Sequence, residues 1–251
     1  MAKIIAIMNQ KGGVGKTTTA VNLSSCLAAA EHKTCLIDMD PQANSTSGIG
    51  LERDIEPSIY DVLLGNKSIH EAIQSTELDY LNIVPSSISL VGAEIELVNM
   101  MSRESRLKSA LTHINNDYEY IIIDCPPSLG ILTINTLTAS NSIIIPIQCE
   151  YYALEGLSQL VNTINLVKEN LNPLLKIEGV LLTMYDGRLN LSRQVSEEVR
   201  KYFNEKVYET VKSRNVRLSE APSFGKPIIL YDILSTGAEN YMSLTKEVLA
   251  Q

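Results

Sequence analysis

Along the chain, short β-branched apolar runs alternate with longer segments in which apolar residues recur every three or four positions. Ile4 to Met8, Thr34 to Asp38, Leu81 to Pro85, Tyr120 to Asp124, Ser142 to Ile147 and Gly179 to Thr183 read as strands. Val207 to Val211 and Ile228 to Tyr231 have the same character. Several of these runs are apolar throughout instead of alternating, as strands covered on both faces require. Leu154, Leu157, Val161, Ile164 and Leu171 fall at helical spacing, and so do Val195, Val199 and Phe203. Strands alternating with helices predict an α/β fold in three layers, a mostly parallel central sheet with helices on both faces. With no internal repeat, low-complexity stretch or Pro/Gly/Ser linker, residues 1–251 are expected to form one domain. Asp40 to Pro57 is the longest stretch without clear period, and loops of that length in a compact domain usually carry function.

Composition narrows the setting. Of the 251 residues 45% are hydrophobic and 20% charged, enough for a real core and unlike a disordered chain. The five apolar residues Ile4 to Met8 are too few for a signal sequence, and no apolar run approaches the roughly 18 residues that span a bilayer. A cytoplasmic location is therefore expected. Cys26, Cys35, Cys125 and Cys149 form no C-x-x-C pair and lack histidines at metal spacing, so buried free thiols are the expected state. Asp plus Glu is 29 against 21 for Lys plus Arg, a net charge of -8 that as an average argues against nucleic acid.

The chemistry concentrates after the first strand, in Asn9-Gln10-Lys11-Gly12-Gly13-Val14-Gly15-Lys16-Thr17-Thr18, which leads into a helix expected from Thr17 to about Ala30. Glycines let backbone N–H groups converge on phosphate oxygens, and the helix N-terminus adds partial positive charge. Residues Lys11 to Thr18 are thus the candidate ATP-binding loop, with Lys16 on the β- and γ-phosphates and the Thr17 hydroxyl on Mg²⁺. The ordinary P-loop pattern has a glycine at the position of Gln10, and here a lysine, Lys11, stands beside it. Asp38 and Asp40 end the second strand two residues apart and so project alike. Asp124 ends the apolar strand Tyr120 to Asp124, where a P-loop NTPase fold places the carboxylate that holds the Mg²⁺ water shell.

A loop with this second lysine resembles the deviant Walker A sequence of the ParA/MinD/nitrogenase-iron-protein group. Across the whole chain the resemblance is to the ParA/Soj chromosome-partitioning ATPases, carried by Gly92-Ala-Glu-Ile-Glu-Leu97, Cys149 to Gly156, Ile177 to Asp186 and Arg214-Asn-Val-Arg-Leu-Ser-Glu-Ala-Pro222. MinD-like membrane attachment is not expected, because the C-terminal Ser243 to Gln251 is not a basic amphipathic helix. Cys125 lacks the companion that a shared iron–sulfur cluster needs. The chain also begins at the P-loop strand, which disfavours the operator-binding role of larger plasmid relatives.

The resemblance implies an ATP-dependent homodimer with nucleotide sandwiched between protomers, Lys11 acting in trans, Asp38 near the metal and Asp40 orienting the attacking water. Gln42 to Gly48 and Pro126 to Gly130 would sense the γ-phosphate. It further implies non-specific binding of double-stranded DNA, association with the nucleoid, hydrolysis that is slow until a ParB/Spo0J-type partner stimulates it, and a role in chromosome segregation. A nucleotide-switched regulator on DNA and a positioning ATPase for another cargo are the alternatives. Arg188 and Arg217 carry over as DNA contacts, with Arg214 beside them. Charge distribution agrees: residues 185–227 hold nine basic and six acidic residues, a local +3 against -11 elsewhere. Leu189 and Ser213 stand where relatives usually carry Thr and Pro, and Asp232 to Gly237 lacks basic residues common there, which predicts weaker or more salt-sensitive DNA binding.

Overall fold

The computed structural model describes residues 1–150 and 157–251. Seven strands form one sheet: β1 Lys3–Ile7, β2 Thr34–Asp38, β3 Gln74–Ser75, β4 Leu81–Val84, β5 Tyr120–Asp124, β6 Ser142–Gln148 and β7 Lys176–Thr183. Their order is β3-β4-β2-β5-β1-β6-β7, parallel throughout except for the β3–β4 pair at one edge. The helices are α1 Lys16–Ala29, α2 Asn44–Gly48, α3 Ile59–Leu64, α4 Ile69–Ala72, α5 Leu90–Glu96, α6 Arg106–Leu111 and α7 Ile131–Ala139. They continue with α8 Leu157–Asn170, α9 Asn190–Phe203, α10 Val216–Glu220, α11 Ile228–Tyr231 and α12 Thr236–Leu249.

The continuous apolar strands have the predicted cause. Ile5 and Ile7 of β1 pack with Leu36, Ile122 and Ile144 against Leu23 and Leu27 of α1 and Leu244 and Val248 of α12. Ile4 joins Ile37, Ile121 and Ile123 beneath α3, α6 and α7 on the other face. Ala6 and Met8 continue that second face with Ile143 and Val180 under α8 and α9. The two-residue period of a strand thus sends alternate apolar side chains into opposite helical layers. Because neighbouring strands are parallel, the C-terminal ends of β1, β2, β5, β6 and β7 share one edge, where open α/β sheets bind ligands.

Two expected strands are not strands. Tyr208 and Lys212 donate backbone hydrogen bonds to Val180 and Leu182 beside β7, yet the N–H groups of Glu209 and Thr210 between them donate to the Glu247 carboxylate of α12 at 2.8 and 2.9 Å. That side chain diverts Val207–Val211 from the ladder, leaving only bridges at Val207 and Ser213. Ile228–Tyr231 is the helix α11: Pro227 precedes it, and the Asn22 side chain accepts the Ile228 N–H at 2.7 Å. A four-residue apolar run carries no period that separates the two states. The unpatterned Asp40–Pro57 segment contains α2, and Leu154 of the predicted periodic helix lies outside the described residues.

One close approach ties the loop after Asp40 to the C-terminal third. Gly225 has φ +62°, and a Cβ there would stand 2.9 Å from the Gly50 Cα. Left-handed backbone costs an L-residue about 1–2 kcal/mol, and forcing two backbones apart adds about 1–3 kcal/mol. Gly225→Ala should therefore lower stability by about 2–5 kcal/mol in urea unfolding; an unchanged midpoint would show that these loops separate without cost.

Candidate active site

At the end of β1 the chain makes a loop whose shape is set by glycine and by polar anchors. Gly13 and Gly15 adopt φ of 75° and 89°, a region open to glycine at little cost. The Asn9 side chain accepts the Lys11 N–H at 3.0 Å and donates to the Pro146 carbonyl at 2.8 Å. Thr183 at the end of β7 donates to the Val14 carbonyl at 2.9 Å. Strands β6 and β7 thus brace the loop from one side. Helix α1 starts with Gly15 and has no side-chain cap, and no backbone N–H from Gly12 to Thr18 finds an acceptor among the described residues. Gly12 and Gly13 have open space where a Cβ would be. Converging unpaired N–H groups at the positive end of a 14-residue helix form an anion cradle.

Lys16 is buried, with its Nζ donating to the Lys11 carbonyl at 3.0 Å across the loop. Burial lowers its pKa from the ordinary lysine value, opposed mainly by the charge of Asp124 and less by Asp40. Lys11 itself is partly exposed at the rim.

Facing the cradle, Asp38 and Asp124 are register partners on the adjacent strands β2 and β5, and both are fully buried. Asp38 accepts the Thr46 N–H and hydroxyl on one oxygen, each at 2.8 Å, and the Asp40 N–H on the other at 3.1 Å. Its carboxylate therefore folds the loop back onto the strand end. Asp124 accepts the Ser45 hydroxyl at 2.8 Å on Oδ2, while its buried Oδ1 has no partner. Asp40 is also buried and accepts the Gln42 N–H at 3.0 Å. Burial raises the pKa of both Asp38 and Asp124; for Asp124 the neighbouring Asp38 charge adds to it, and the Ser45 hydrogen bond and the nearby Thr17 hydroxyl oppose it. Asn9 and Thr183 were not singled out in the sequence, and Ser45 and Thr46 only as part of the Gln42–Gly48 stretch, since small polar residues carry no chemical signature until the fold shows their partners.

The structure gathers Lys16, Thr17, Asp38, Asp40 and Asp124 at one edge. Arg188, Arg214 and Arg217 lie on two segments joined by the Tyr185–Ser213 bridge, and Arg214 lines a cavity that Gly15 and Thr18 also border. The positive charge there is smaller than the sequence count. Lys212 is buried and adds nothing to the surface. Arg188 pairs with both oxygens of Asp186 at 2.9 and 2.7 Å, holding that carboxyl down to about 2. Arg217 pairs with Glu220 at 3.0 Å and Asp232 at 3.4 Å. The four cysteines are free and buried, with thiol pKa values raised by burial.

A carboxyl whose folded pKa is raised binds its proton more tightly in the folded than in the unfolded state, so stability falls as pH rises from the ordinary carboxylate range through the folded value. Asp124→Asn removes that proton. In the absence of added ligands, the stability of the variant relative to the parent should increase between pH 5 and pH 8 in parallel urea titrations. A difference that does not change with pH would mean that Asp124 ionises without penalty.

Comparison with known proteins places this geometry. A family model described as an AAA domain matches residues 2–177. The chain is 62% identical over 251 residues to the sporulation initiation inhibitor protein Soj of Bacillus subtilis (strain 168), covering all of this chain and 99% of that one. It is 59% identical over 250 residues to the chromosome partitioning protein ParA of Myxococcus xanthus (strain DK1622), covering 99% and 88%. Among solved structures, cobyrinic acid a,c-diamide synthase from Mycobacterium smegmatis with bound ADP and magnesium superposes with a TM-score of 0.87 at 36% identity, over 99% of this chain and 94% of that one. From the lysine-bearing loop, the acidic strand ends and identity along its whole length, the chain belongs to the ParA/Soj family of chromosome-partitioning ATPases.

Proposed function

We propose that the chain binds Mg-ATP at the Gly12–Thr18 cradle, dimerises around it, holds DNA non-specifically as the dimer, and lets go when a ParB/Spo0J-type partner stimulates hydrolysis. The observation that carries this reading is the row of unpaired N–H groups from Gly12 to Thr18, set opposite buried Asp124 with its free Oδ1. An orphaned buried carboxylate oxygen beside the Thr17 hydroxyl suits a hydrated cation. Among the described residues no three His, Cys, Asp or Glu side chains converge on a metal site, which fits Mg²⁺, an ion that takes few protein ligands and fills its shell with water and phosphate. Thr17 and Asp124 would hold it, with Asp38 positioning the loop around it. Bound Mg²⁺ supplies neutralisation of charge on the transferring phosphoryl group.

The remaining roles belong to the chain itself. Lys16, already aimed across the loop, exchanges the Lys11 carbonyl for phosphate oxygens. Lys11 at the rim is placed to reach a partner's nucleotide, as an arginine finger does in other NTPases. Asp40 orients the attacking water. The Asp38–Thr46 and Asp124–Ser45 bonds are those that a γ-phosphate would rearrange, which makes the 42–48 loop a switch. Without the partner the switch is incompletely ordered and turnover is slow. Among the described residues no helix is long and apolar enough to cross a membrane, in keeping with a cytoplasmic, nucleoid-associated protein.

For DNA, Arg188, Arg214 and Arg217 are the contacts proposed on each protomer. The acidic neighbours paired with Arg188 and Arg217 make single-protomer binding weak. Each phosphate neutralised steepens the log–log salt dependence by about 0.9, so doubling the contacts in a dimer acts as a switch.

Two measurements test the reading. ATP turnover should rise when DNA and a ParB-type N-terminal peptide are added together, while Asp40→Ala should bind ATP and dimerise yet lose turnover by about 100-fold or more; no stimulation under any combination would refute segregation driven by turnover. Arg217→Glu should abolish DNA retention and leave the ATP dimer intact in sedimentation. Normal DNA retention by that variant would remove this surface as the DNA face.

A further inference from the structure

The segment Gly92-Ala-Glu-Ile-Glu-Leu97 takes no part in the phosphate site. It runs through α5 into the turn Leu97–Asn99, and this short helix is apolar on two sides. Leu90, Ala93 and Leu97 are buried with Ile59 and Val62 of α3. On the opposite side Val91, Ile95 and Val98, with Ile88 before the helix and Met101 after it, are 48–91% exposed. The Val91 and Gly92 N–H groups donate to the carbonyls of Ile88 and Ser89, which extends the helical turn back to Ile88. Ile88, Val91, Ile95 and Val98, spaced three, four and three apart, therefore line one face. Exposed apolar residues scattered singly are ordinary, whereas a row at this spacing is the seam by which one helix packs on another.

The charges around the row select what can cover it. From 71 to 102 the chain has no Lys, Arg or His, and Glu94 and Glu96 flank the row. The Tyr60 hydroxyl donates to Glu96 at 3.0 Å and holds that carboxylate beside α5. Arg103 closes the far end, but its guanidinium is engaged by Glu104 and by the Val98 carbonyl, each at 2.8 Å. A second copy of this face would bring like carboxylates together, and an anionic lipid surface would be repelled. A helix with an apolar stripe and basic flanks matches both the spacing and the charge.

The row also has a route to the site. Glu94 Oε1 lies 2.8 Å from where a Cβ on Gly130 would stand, so α5 rests against the Pro126–Gly130 segment expected to sense the γ-phosphate. We propose that the Ile88–Val98 row is the docking surface of the stimulating partner, covered by a basic amphipathic helical segment of that protein. This rests on the reading of partner-stimulated turnover above and adds where the partner sits. A helix laid on α5 favours whichever position of the Gly130 segment keeps the row in place, and through that preference biases the switch.

The test uses the full chain with ATP and a fluorescently labelled N-terminal peptide of a ParB-type protein. Ile95→Asp should weaken peptide binding about 10-fold or more, the loss expected of a central interface residue. It should also abolish stimulation of turnover, while basal turnover and ATP-dependent sedimentation stay as in the parent. Glu96→Lys should weaken the peptide less and reduce the salt dependence of its binding. Because the native cysteines are buried, an environment-sensitive dye can be placed on Val98→Cys; its emission should shift to the blue with peptide and stay unchanged with ATP alone. Parent-like binding and stimulation in Ile95→Asp would overturn this surface and leave the turnover reading standing. A blue shift with ATP alone would make a second copy the occupant and overturn it equally. If the parent binds no peptide, the partner reading falls and this surface with it.

Discussion

Two carboxylates buried side by side at the ends of neighbouring parallel strands set the terms for everything around them. Asp38 and Asp124 occupy matching register positions with no exposed surface, and two like charges withdrawn from water oppose folding unless protons, hydrogen bonds or cations answer them. The chain meets part of that demand through α2. Thr46 gives Asp38 two hydrogen bonds, and Ser45 gives Asp124 one. The remaining demand, on Asp124 Oδ1, faces the phosphate cradle. The segment after Asp40 is consequently held by the same carboxylates that a cation would claim, so the state of the site and the position of that loop are coupled.

The coupling extends further through close backbone contact. The loop that leaves α2 passes Gly50, which touches Gly225, and Gly225 follows closely on the segment that carries Arg214 and Arg217. A displacement at Thr46 thus has a short mechanical route to the proposed DNA face. Two of the arginines there carry acidic partners: Arg188 pairs with Asp186, and Arg217 with Glu220 and Asp232. On the DNA-binding proposal, a surface so nearly balanced would hold phosphate weakly as a single copy and depend on pairing with a second, unlike a densely basic surface.

Much of this was legible in the chain. Strands with both faces covered lack alternation, and β1, β2, β5 and β6 were found to within a residue or two on that ground. The cradle was legible because glycine, lysine and threonine at fixed spacing answer the geometry of phosphate and leave few other readings. Asp38, Asp40 and Asp124 could be picked out because an acidic residue ending an apolar strand is conspicuous. The failures share a cause. Val207–Val211 lost its ladder to a carboxylate nearly forty residues away on α12, and Ile228–Tyr231 became helical through a cap from Asn22, more than two hundred residues distant. Neither partner is visible to local pattern.

The net charge of -8 and the basic count in 185–227 show the same division. Composition and spacing by themselves determined the sheet, the phosphate loop and the acidic strand ends, because burial on two faces and recognition of phosphate impose patterns that repeat at short range. Only the tertiary structure decided which charges remain available. Lys212 counts as a cation on paper yet lies buried against Tyr241, and Asp38 proves to be the anchor of a loop. Whether a charge faces water, a partner or an apolar wall depends on residues far along the chain, and that is settled by packing alone.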